Sequence, residues 1–244
     1  AAMGRGRLLV HPKPRVVILS IGDELLNPGS RIAEEGAVFD ANAHALAALV
    51  RKAGGEPHLF DIIPDNAALL EKALLEAAGQ SDVTVLSGGS SVGARDLIQD
   101  AVSSLPGARI LAHGASIRPG KPALLAELSG KAIFGLPGHP VSALIVAQIF
   151  LAPFLRYLQG AELIKGPAGH RQDVTLASAI HSTIGLEEYV RIRIEEKQDG
   201  SCLAYPVYGK SGMLSTMVKA NGILVIPRNV EGFPKGETVR AIRI

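Results

Sequence analysis

Apolar runs and helical periodicity alternate along the N-terminal half of the chain. The segments 15–20 and 83–86 are short apolar runs of the kind found in strands buried on both faces of a parallel sheet. Between them, apolar residues recur at helical spacing from Leu46 to Ala53 and again from Leu70 to Ala78. Strands that alternate with helices in this way predict an α/β fold with a mostly parallel sheet and helices on both faces.

Capping and turn residues give these elements their predicted ends. Asp40 or Asn42 is placed to cap the first helix and Gly54-Gly55 to end it, and Gly79 is placed to end the second helix. The same patterns predict a strand at Pro57–Ile63, a helix at about 94–104, and short strands at Ser116–Arg118, Ala123–Leu128 and Lys131–Phe134.

A long apolar helix is predicted from Pro140 to about Leu158. Proline suits the first helical position, whereas Pro153 is expected to kink the helix or bring it to an early end. The apolar stretch Val141–Phe154 is interrupted by Gln148 and is too short to span a bilayer. We therefore expect a buried helix and no membrane partner.

Beyond residue 160 the pattern changes to alternating strands. The segment 160–169, GAELIKGPAG, predicts a linker. A small all-β domain is predicted after it from the strand-like pieces Gln172–Ala177, Tyr189–Glu196, Ser201–Tyr205, Gly222–Ile226 and Thr238–Ile244. The predicted organisation is an N-terminal extension at 1–14, an α/β domain at 15–160, a linker at 161–169 and a β domain at 170–244.

The composition indicates which kinds of molecule the protein binds. With a formal net charge of +2, no Trp and six Phe in 244 residues, the chain lacks the footprint of a nucleic-acid-binding protein. A small anionic ligand fits this composition better than a nucleic acid does. The single cysteine, Cys202, can form no internal disulfide, which favours a reducing cytoplasm. Because the chain begins Ala-Ala-Met, we expect a processed or cloned fragment.

A glycine-rich turn follows the apolar run 83–86. Gly88, Gly89 and Gly93 fall within six residues, between a predicted strand and a predicted helix. Such a turn leaves unpaired backbone N–H groups beside a helix N-terminus, which predicts a phosphate-type anion site at residues 88–93. A tight loop without a ligand is the alternative, because glycine repetition alone is weak evidence.

Acidic residues follow the predicted strands at the same edge of the sheet. Because ligands bind beyond the carboxyl ends of parallel strands, Asp23, Glu24, Asp65 and Asp96 are predicted to converge, with only one of Asp23 and Glu24 facing the site. Carboxylates beside a phosphate would repel it unless a hard cation such as Mg²⁺ lay between them. Alternatively, Asp65 caps the following helix, and the helix dipole alone favours Asp96.

Two other motifs compete with this interpretation. Gly89–Gly93 satisfies G-x-S-x-G with Ser91 as the nucleophile of a hydrolase. The downstream candidates Asp100 and His139 lack a distinctive context, however, and an upstream oxyanion-loop signature is missing. Residues 204–211 match a loose Walker pattern, but in a strand-rich context that a P-loop does not have.

Lysine and serine side chains supply further candidates for contact with an anion. Lys121 is flanked by prolines that stiffen its loop, so it can present a point charge to an oxyanion. A solvated loop lysine is the alternative. Lys210 and Ser211 can contact an anion without forming a P-loop.

Together these stretches resemble one family, the molybdopterin molybdenumtransferases of molybdenum cofactor synthesis, which include the E domain of gephyrin. Each motif alone is weak, but their order and spacing are specific. The matching pieces are GDEL at 22–25, FDAN at 39–42, PDN at 64–66, SGGSSVGARD at 87–96, RPGKP at 118–122 and GLPGHPVSA at 135–143. The similarity extends more loosely through 187–194 and 209–227.

The resemblance implies a pterin-binding α/β domain and a C-terminal domain like a β-barrel. The family's reaction inserts molybdate or tungstate into adenylylated molybdopterin, cleaves the pyrophosphate link and releases AMP, with a divalent cation assisting. By resemblance, Glu24, Asp65 and Asp96 are the catalytic residues linked to Mg²⁺. The implied cofactor-binding residues are Gly88, Gly89, Ser90, Ser91, Gly93, Lys121, Pro137, Gly138, Arg191 and Ser211, of which Lys121, Arg191 and Ser211 hold the oxyanion.

The chain departs from the family pattern in three respects. The family's two N-terminal domains, which help to form its homodimer and active-site cleft, have no counterpart among these residues. Ile21 replaces the Thr usual before Gly22, and His139 stands where Asn is usual. Two alternatives therefore stay open. One is a molybdopterin adenylyltransferase, against which the β domain and the RPGKP loop argue; the other is a non-catalytic pterin-binding scaffold.

Overall fold

Two six-stranded sheets form the fold. A computed structural model describes residues 2–31, 35–88, 92–162 and 169–244, and at residues 92–96 it describes the backbone alone. The first elements are β1 (Arg15–Ile21), β2 (Leu25–Leu26), β3 (Val38–Phe39), α1 (Ala41–Lys52), β4 (Glu56–Leu59), α2 (Ala67–Gln80), β5 (Val83–Gly88), α3 (Val92–Ser104), β6 (Ala108–His113), β7 (Ile117–Arg118), β8 (Leu124–Leu128), β9 (Lys131–Pro137), α4 (Pro140–Val146) and α5 (Ala152–Leu158). The later elements are β10 (His170–Leu176), β11 (Ile180–His181), β12 (Glu187–Glu196), β13 (Cys202–Pro206), α6 (Ser215–Lys219), β14 (Gly222–Ile226), β15 (Gly232–Phe233) and β16 (Thr238–Arg243).

The first sheet is mostly parallel, as predicted. Its strand order is β4-β1-β5-β9-β8-β6. The first four strands run parallel to one another, and β8 runs antiparallel to both of its neighbours, β9 and the edge strand β6. The carboxyl ends of β4, β1, β5 and β9 therefore meet at one edge of the sheet, where α/β proteins bind their ligands.

The central strands β1 and β5 are covered on both faces. Every residue from Val16 to Ile21 and from Val83 to Gly88 is buried. Ile18 packs in a core cluster with residues of α1 and α4, whereas its neighbour Leu19 packs in a second cluster with residues of α2 and α3. Helices on both faces leave these strands no polar side, which explains why their sequences are mainly apolar and why Ser20, Thr84 and Ser87 are buried with the rest.

The N-terminal cap of the first helix is one of the two residues predicted for it, whereas the cap of the second helix is not the residue that was considered. Asp40 caps α1, as one of the two proposed residues, by accepting from the backbone N–H three residues later at 3.0 Å. Asn66 caps α2 in the same way at 3.1 Å, so the alternative that Asp65 is the cap is wrong. The helix α2 also continues past Gly79 and ends at Gln80.

Two strands at the edges of the first sheet also differ from the predictions. β4 ends at Leu59, and further on Ile63 makes only an isolated bridge to Ile21. The segment Ala108–His113 forms β6, which was not predicted as a strand. Its residues are mostly exposed, so β6 lacks the apolar pattern by which the central strands are recognised.

The apolar helix after β9 continues to Leu158, so Pro153 does not end it early. A π-helical turn at Ala147–Leu151 joins α4 to α5 instead. Because Pro153 has no N–H to donate, a wider turn just before it accommodates the missing bond. The segment Pro140–Leu158 has 19 residues, enough by length and composition to cross a membrane, but 61% of its apolar window is buried in the fold. It is a core helix, as predicted.

The second sheet closes into a barrel. Its order is β13-β10-β16-β14-β12-β7, and β13 also pairs with β12. The extra pairing closes β12, β13, β10, β16 and β14 into a ring around a core that contains Val174, Ile192 and Leu224. The predicted barrel-like β domain is confirmed, although the short helix α6 means that it is not entirely β.

The strand β7 connects the two sheets. It was predicted as a strand, but its partner is β12 of the barrel, with Ile117 opposite Glu187 and Arg118 opposite Glu188. The Arg118 guanidinium Nη1 lies 3.5 Å from the Glu188 carboxylate Oε2. The RPGKP loop that starts at Arg118 is therefore attached to the barrel at its first residue.

Candidate functional site

The carboxyl ends of β1, β5 and β9 lie side by side. Ile21 is opposite Gly88, and Gly88 is opposite Pro137. The chain thus leaves three adjacent strands at the same level, which places Gly22 and Gly138 on either side of the end of β5 at Gly88. This edge is where the sequence predicted that the ligand site would lie.

Gly88 occupies a position where no side chain fits. A Cβ built on it would lie 2.4 Å from the Ile21 carbonyl oxygen and 2.8 Å from the Ile21 Cβ. The neighbouring strand is therefore a sufficient reason for this glycine. Gly93 lies in the first turn of α3. The other predicted members of the anion loop, Gly89, Ser90 and Ser91, lie outside the described residues.

Three carboxylates gather beyond β1 and β4. The Asp65 backbone N–H donates to Asp23 Oδ1 at 3.1 Å, and the Gly22 N–H donates to the Ile63 carbonyl at 3.1 Å, which ties the two strand ends together. Asp65 is exposed, but its partial desolvation raises the pKa of its carboxyl, and the charges of Asp23 and Glu24 raise this pKa further. Both Asp23 and Glu24 therefore act on Asp65, although only one of them was expected to face the site.

A cation would relieve the repulsion among these carboxylates. Their oxygens are the hard ligands that Mg²⁺ prefers, so the donor chemistry fits. Among the described residues, however, no group of three or more His, Cys, Asp or Glu side chains is already arranged to hold a metal ion. Asp96 lies in α3 with its side chain outside the described part. Mg²⁺ at Glu24, Asp65 and Asp96 stays a prediction, and Asp23 is a further candidate ligand.

Asn42 joins the ends of β5 and β9, a role that the sequence did not indicate. Its side-chain amide donates to Ser87 Oγ at 2.9 Å and to the Gly138 carbonyl at 2.8 Å. The sequence had suggested Asn42 only as a possible helix cap. Its place in the FDAN stretch was the one available signal of a further role.

Replacing Asn42 by alanine should lower the free energy of unfolding by about 1–2 kcal/mol, because it removes two part-buried hydrogen bonds. Urea denaturation followed by far-UV circular dichroism measures this. The control is Asn229→Ala at an exposed turn, expected to change stability by less than about 0.5 kcal/mol. Equal stability of the two variants would contradict the role given to Asn42.

A loop of the barrel, residues 207–213, reaches the end of β9; we call it the barrel loop. Ser211 Oγ lies 3.1 Å from Nδ1 of His139. The Ser211 carbonyl accepts a hydrogen bond from the Val141 N–H at 3.0 Å. Ser211 and Gly138, which the sequence placed in different domains, are thereby brought to the same place.

Arg191 lies beneath the barrel loop. Only 9% of its surface is exposed, and its Nη2 donates to the Gly209 carbonyl at 3.0 Å. Burial lowers the pKa of Arg191, and the charge of Glu188 opposes this shift. Its Nε is buried without a hydrogen-bond partner among the described residues. Arg191 thus supports the loop, and its predicted contact with an oxyanion stays a prediction.

Lys121 is held at this edge through its backbone. Its carbonyl accepts from the Ala115 N–H at 2.8 Å, and its side chain is exposed. The next residue, Pro122, lines a small cavity together with Gly88 and Pro137. The RPGKP loop therefore lies against the ends of β5 and β9 at Pro122, and contact of Lys121 with an oxyanion stays a prediction.

A second cavity, much larger than the one beside Pro122, lies elsewhere. It has a volume of about 970 Å³ and lies between the β8–β9 hairpin, the π-helical turn and the barrel. Its lining is mainly apolar and includes Phe134, Phe154 and Tyr189. Burial raises the pKa of Tyr189, and its hydroxyl donates to Glu187. The candidate site is assigned to the sheet edge instead, because the carboxylates and the barrel loop are there.

Two family descriptions match the chain. Residues 17–157 match the family described as "Probable molybdopterin binding domain". Residues 173–244 match the family described as "MoeA C-terminal region (domain IV)". The first match covers nearly all of the α/β sheet, and the second covers most of the barrel.

Named relatives match both parts together. A molybdopterin molybdenumtransferase of Nostoc sp. is 32% identical over 240 residues, which are 96% of this chain and 54% of the relative. Molybdopterin molybdenumtransferase 1 of Mycobacterium tuberculosis is 30% identical over 246 residues, 98% of this chain and 56% of the relative. A crystal structure of a molybdopterin biosynthesis MoeA protein from Pyrococcus horikoshii has a TM-score of 0.81 at 28% identity, over 95% of this chain and 54% of that one. The chain spans about half the length of these relatives.

Proposed function

Because this chain belongs to the molybdopterin molybdenumtransferase family of molybdenum cofactor biosynthesis, we propose that it inserts molybdate into adenylylated molybdopterin with release of AMP. The observation that carries this proposal is the meeting of three features at one sheet edge: the carboxylates Asp23, Glu24 and Asp65, the close strand approach at Gly88, and the barrel loop with Ser211. The chain spans about half the length of its relatives, so their reaction is carried over to it as a proposal.

The proposed chemistry is electrostatic. A phosphoanhydride is cleaved more easily when donors already in place neutralise the charge that develops on its oxygens. Mg²⁺, held by Glu24, Asp65 and Asp96, would supply Lewis-acid neutralisation of that kind. Lys121 presents its ammonium group from the RPGKP loop and is proposed to hold molybdate, together with Ser211. Adenylylated molybdopterin and molybdate are thus the proposed substrates.

The deciding experiment measures molybdate-dependent AMP formation from adenylylated molybdopterin. It uses this chain alone and this chain supplied with the N-terminal domains of a relative. We expect AMP to form only with molybdate and Mg²⁺, and Asp96→Ala to abolish it. Asp173→Asn, at an exposed position of β10, is the matched control and should leave AMP formation unchanged.

Two other outcomes would replace the proposal. Tight binding of molybdopterin without AMP formation, even with the added domains, would identify a pterin-binding scaffold. Consumption of ATP with release of pyrophosphate would identify a molybdopterin adenylyltransferase. The barrel, which matches the MoeA C-terminal region, argues against the adenylyltransferase.

A further inference from the structure

The contact between His139 and Ser211 depends on one atom of the imidazole. Ser211 Oγ faces Nδ1, which is bonded directly to Cγ of the ring. The amide nitrogen and oxygen of an asparagine are also bonded to Cγ, so an asparagine can place a hydrogen-bonding atom where His139 has Nδ1. A phenylalanine has the shape of the ring but offers no such atom. The hydrogen bond therefore requires a polar δ atom at residue 139, and the remainder of the imidazole is not needed for it.

The barrel loop is anchored from the opposite side by Arg191. The Val207 N–H donates to the Arg191 carbonyl at 2.8 Å, and Arg191 Nη2 donates to the Gly209 carbonyl at 3.0 Å. Because Arg191 lies within β12 and is nine-tenths buried, this end of the loop is fixed to the barrel wall. Ser211 follows two residues after Gly209 and makes the contacts that reach the α/β sheet.

On that sheet, Ser211 is held by two bonds of different kinds. The bond from the Val141 N–H to the Ser211 carbonyl is made by backbone atoms, so it forms whatever side chains are present. The bond to His139 is made by side-chain atoms and directs the serine hydroxyl. His139 is therefore the side chain that the Ser211 hydroxyl contacts on the α/β sheet.

We propose that His139 is a positioning residue: through Nδ1 it holds the Ser211 hydroxyl and the barrel loop at the carboxyl end of β9, on the sheet edge where the carboxylates lie beyond β1 and β4. The catalytic consequence of this role rests on the proposed function, whereas the contact itself can be tested without it. The proposal also explains why histidine can stand at a position where the resemblance leads one to expect asparagine. Both residues keep the required δ atom.

Hydrogen exchange followed by mass spectrometry tests the contact on the full chain. Peptides that cover residues 207–213 are compared in His139→Asn, His139→Phe, Ser211→Ala and the double variant His139→Phe/Ser211→Ala. We expect exchange about three- to tenfold faster in each single loss variant. The double variant should be no faster than either one, because both changes remove the same bond. His139→Asn should stay within about twofold of the starting protein.

Matched controls separate this local effect from unfolding. His170→Phe changes an exposed histidine at the start of β10 and should leave the barrel loop unaffected. Peptides from β1 and β5 should keep their protection in every variant, which shows that the α/β core is intact. Exchange in His139→Asn as fast as in His139→Phe, or additive effects in the double variant, would overturn the proposal.

The rate of AMP formation gives a second, independent reading. A misplaced serine hydroxyl should lower kcat by about tenfold in His139→Phe and leave KM for adenylylated molybdopterin nearly unchanged, with recovery in His139→Asn. An intact kcat in His139→Phe despite faster loop exchange would refute the positioning role alone. Absence of AMP formation in the starting protein would refute the proposed function, while the exchange data would still decide whether His139 holds the loop.

Discussion

Replacing Gly88 by alanine is expected to lower the free energy of unfolding by about 3 kcal/mol, because the added methyl group has no space. Its carbon would lie 2.4 Å from the Ile21 carbonyl oxygen and 2.8 Å from the Ile21 Cβ. Both belong to β1, which lies beside β5 in the interior of the sheet and is buried on both faces. The two strands must therefore separate at the end that carries the candidate site. Urea denaturation monitored by far-UV circular dichroism measures the loss.

Gly79→Ala is the matched control for this change. Gly79 lies in α2, and a Cβ built on it meets nothing within 4 Å. Alanine is the better helix former and has less freedom in the unfolded chain, so this variant should be more stable by about 0.5–1 kcal/mol. Opposite signs for the two glycine-to-alanine changes are the expected result. A Gly88→Ala protein as stable as the starting protein would show that β1 and β5 do not approach each other as closely as described.

Replacing Asp65 by asparagine is expected to reduce molybdate-dependent AMP formation by about 100-fold or more, while the fold becomes slightly more stable at neutral pH. The loss of activity follows from the role proposed for Asp65 as a ligand of Mg²⁺, whose neutralisation of transition-state charge amounts to several kcal/mol. The gain in stability follows from the raised pKa of Asp65, caused by burial and then by Asp23 and Glu24.

The sign of the stability effect follows from proton binding. In the folded protein the pKa of Asp65 is higher than in the unfolded chain, so the folded state binds this proton more tightly. Stability from this group is therefore present below the unfolded pKa, and it is lost as the pH rises through the folded pKa. Asparagine cannot ionise and avoids the loss. Because Asp65 is exposed, solvent screening limits the gain to about 0.5 kcal/mol or less.

Unfolding in urea between about pH 3 and pH 7, together with AMP formation at neutral pH, tests both parts of this expectation. Asp61→Asn, at an exposed position in the same connection between β4 and α2, serves as the control and should retain activity. Asp65→Asn with full AMP formation would remove Asp65 from the site. A variant less stable than the starting protein at neutral pH would refute the repulsion among the carboxylates.

The sequence by itself determined the architecture and the family. The strands β1 and β5 were recognisable because a strand covered by helices on both faces has no polar side, so apolar residues predominate at successive positions. The barrel strands were recognisable from short alternating segments between turns. The order of the motifs predicted the family that the comparisons identify, because such an order is specific even where each motif is weak.

The sequence could not choose between neighbouring residues of similar chemistry. Asp65 and Asn66 are both suitable helix caps by type, and only the backbone geometry shows that Asn66 fills the position and leaves Asp65 near Asp23 and Glu24. The strand β6 was missed for a related reason. Its exposed residues give no alternation by which a strand is recognised.

Only the tertiary structure decided which distant segments meet. The bonds of Asn42 to Ser87 and Gly138, and of Ser211 to His139, join residues far apart along the chain. A polar side chain has many possible partners, and nothing in its neighbouring residues specifies which one is reached. For Asn42 that choice depends on how α1 packs beside the ends of β5 and β9. For Ser211 it depends on how the barrel, attached through β7, docks against the end of β9. The residues of the candidate site were thus largely present in the motifs, but their contacts were set by packing.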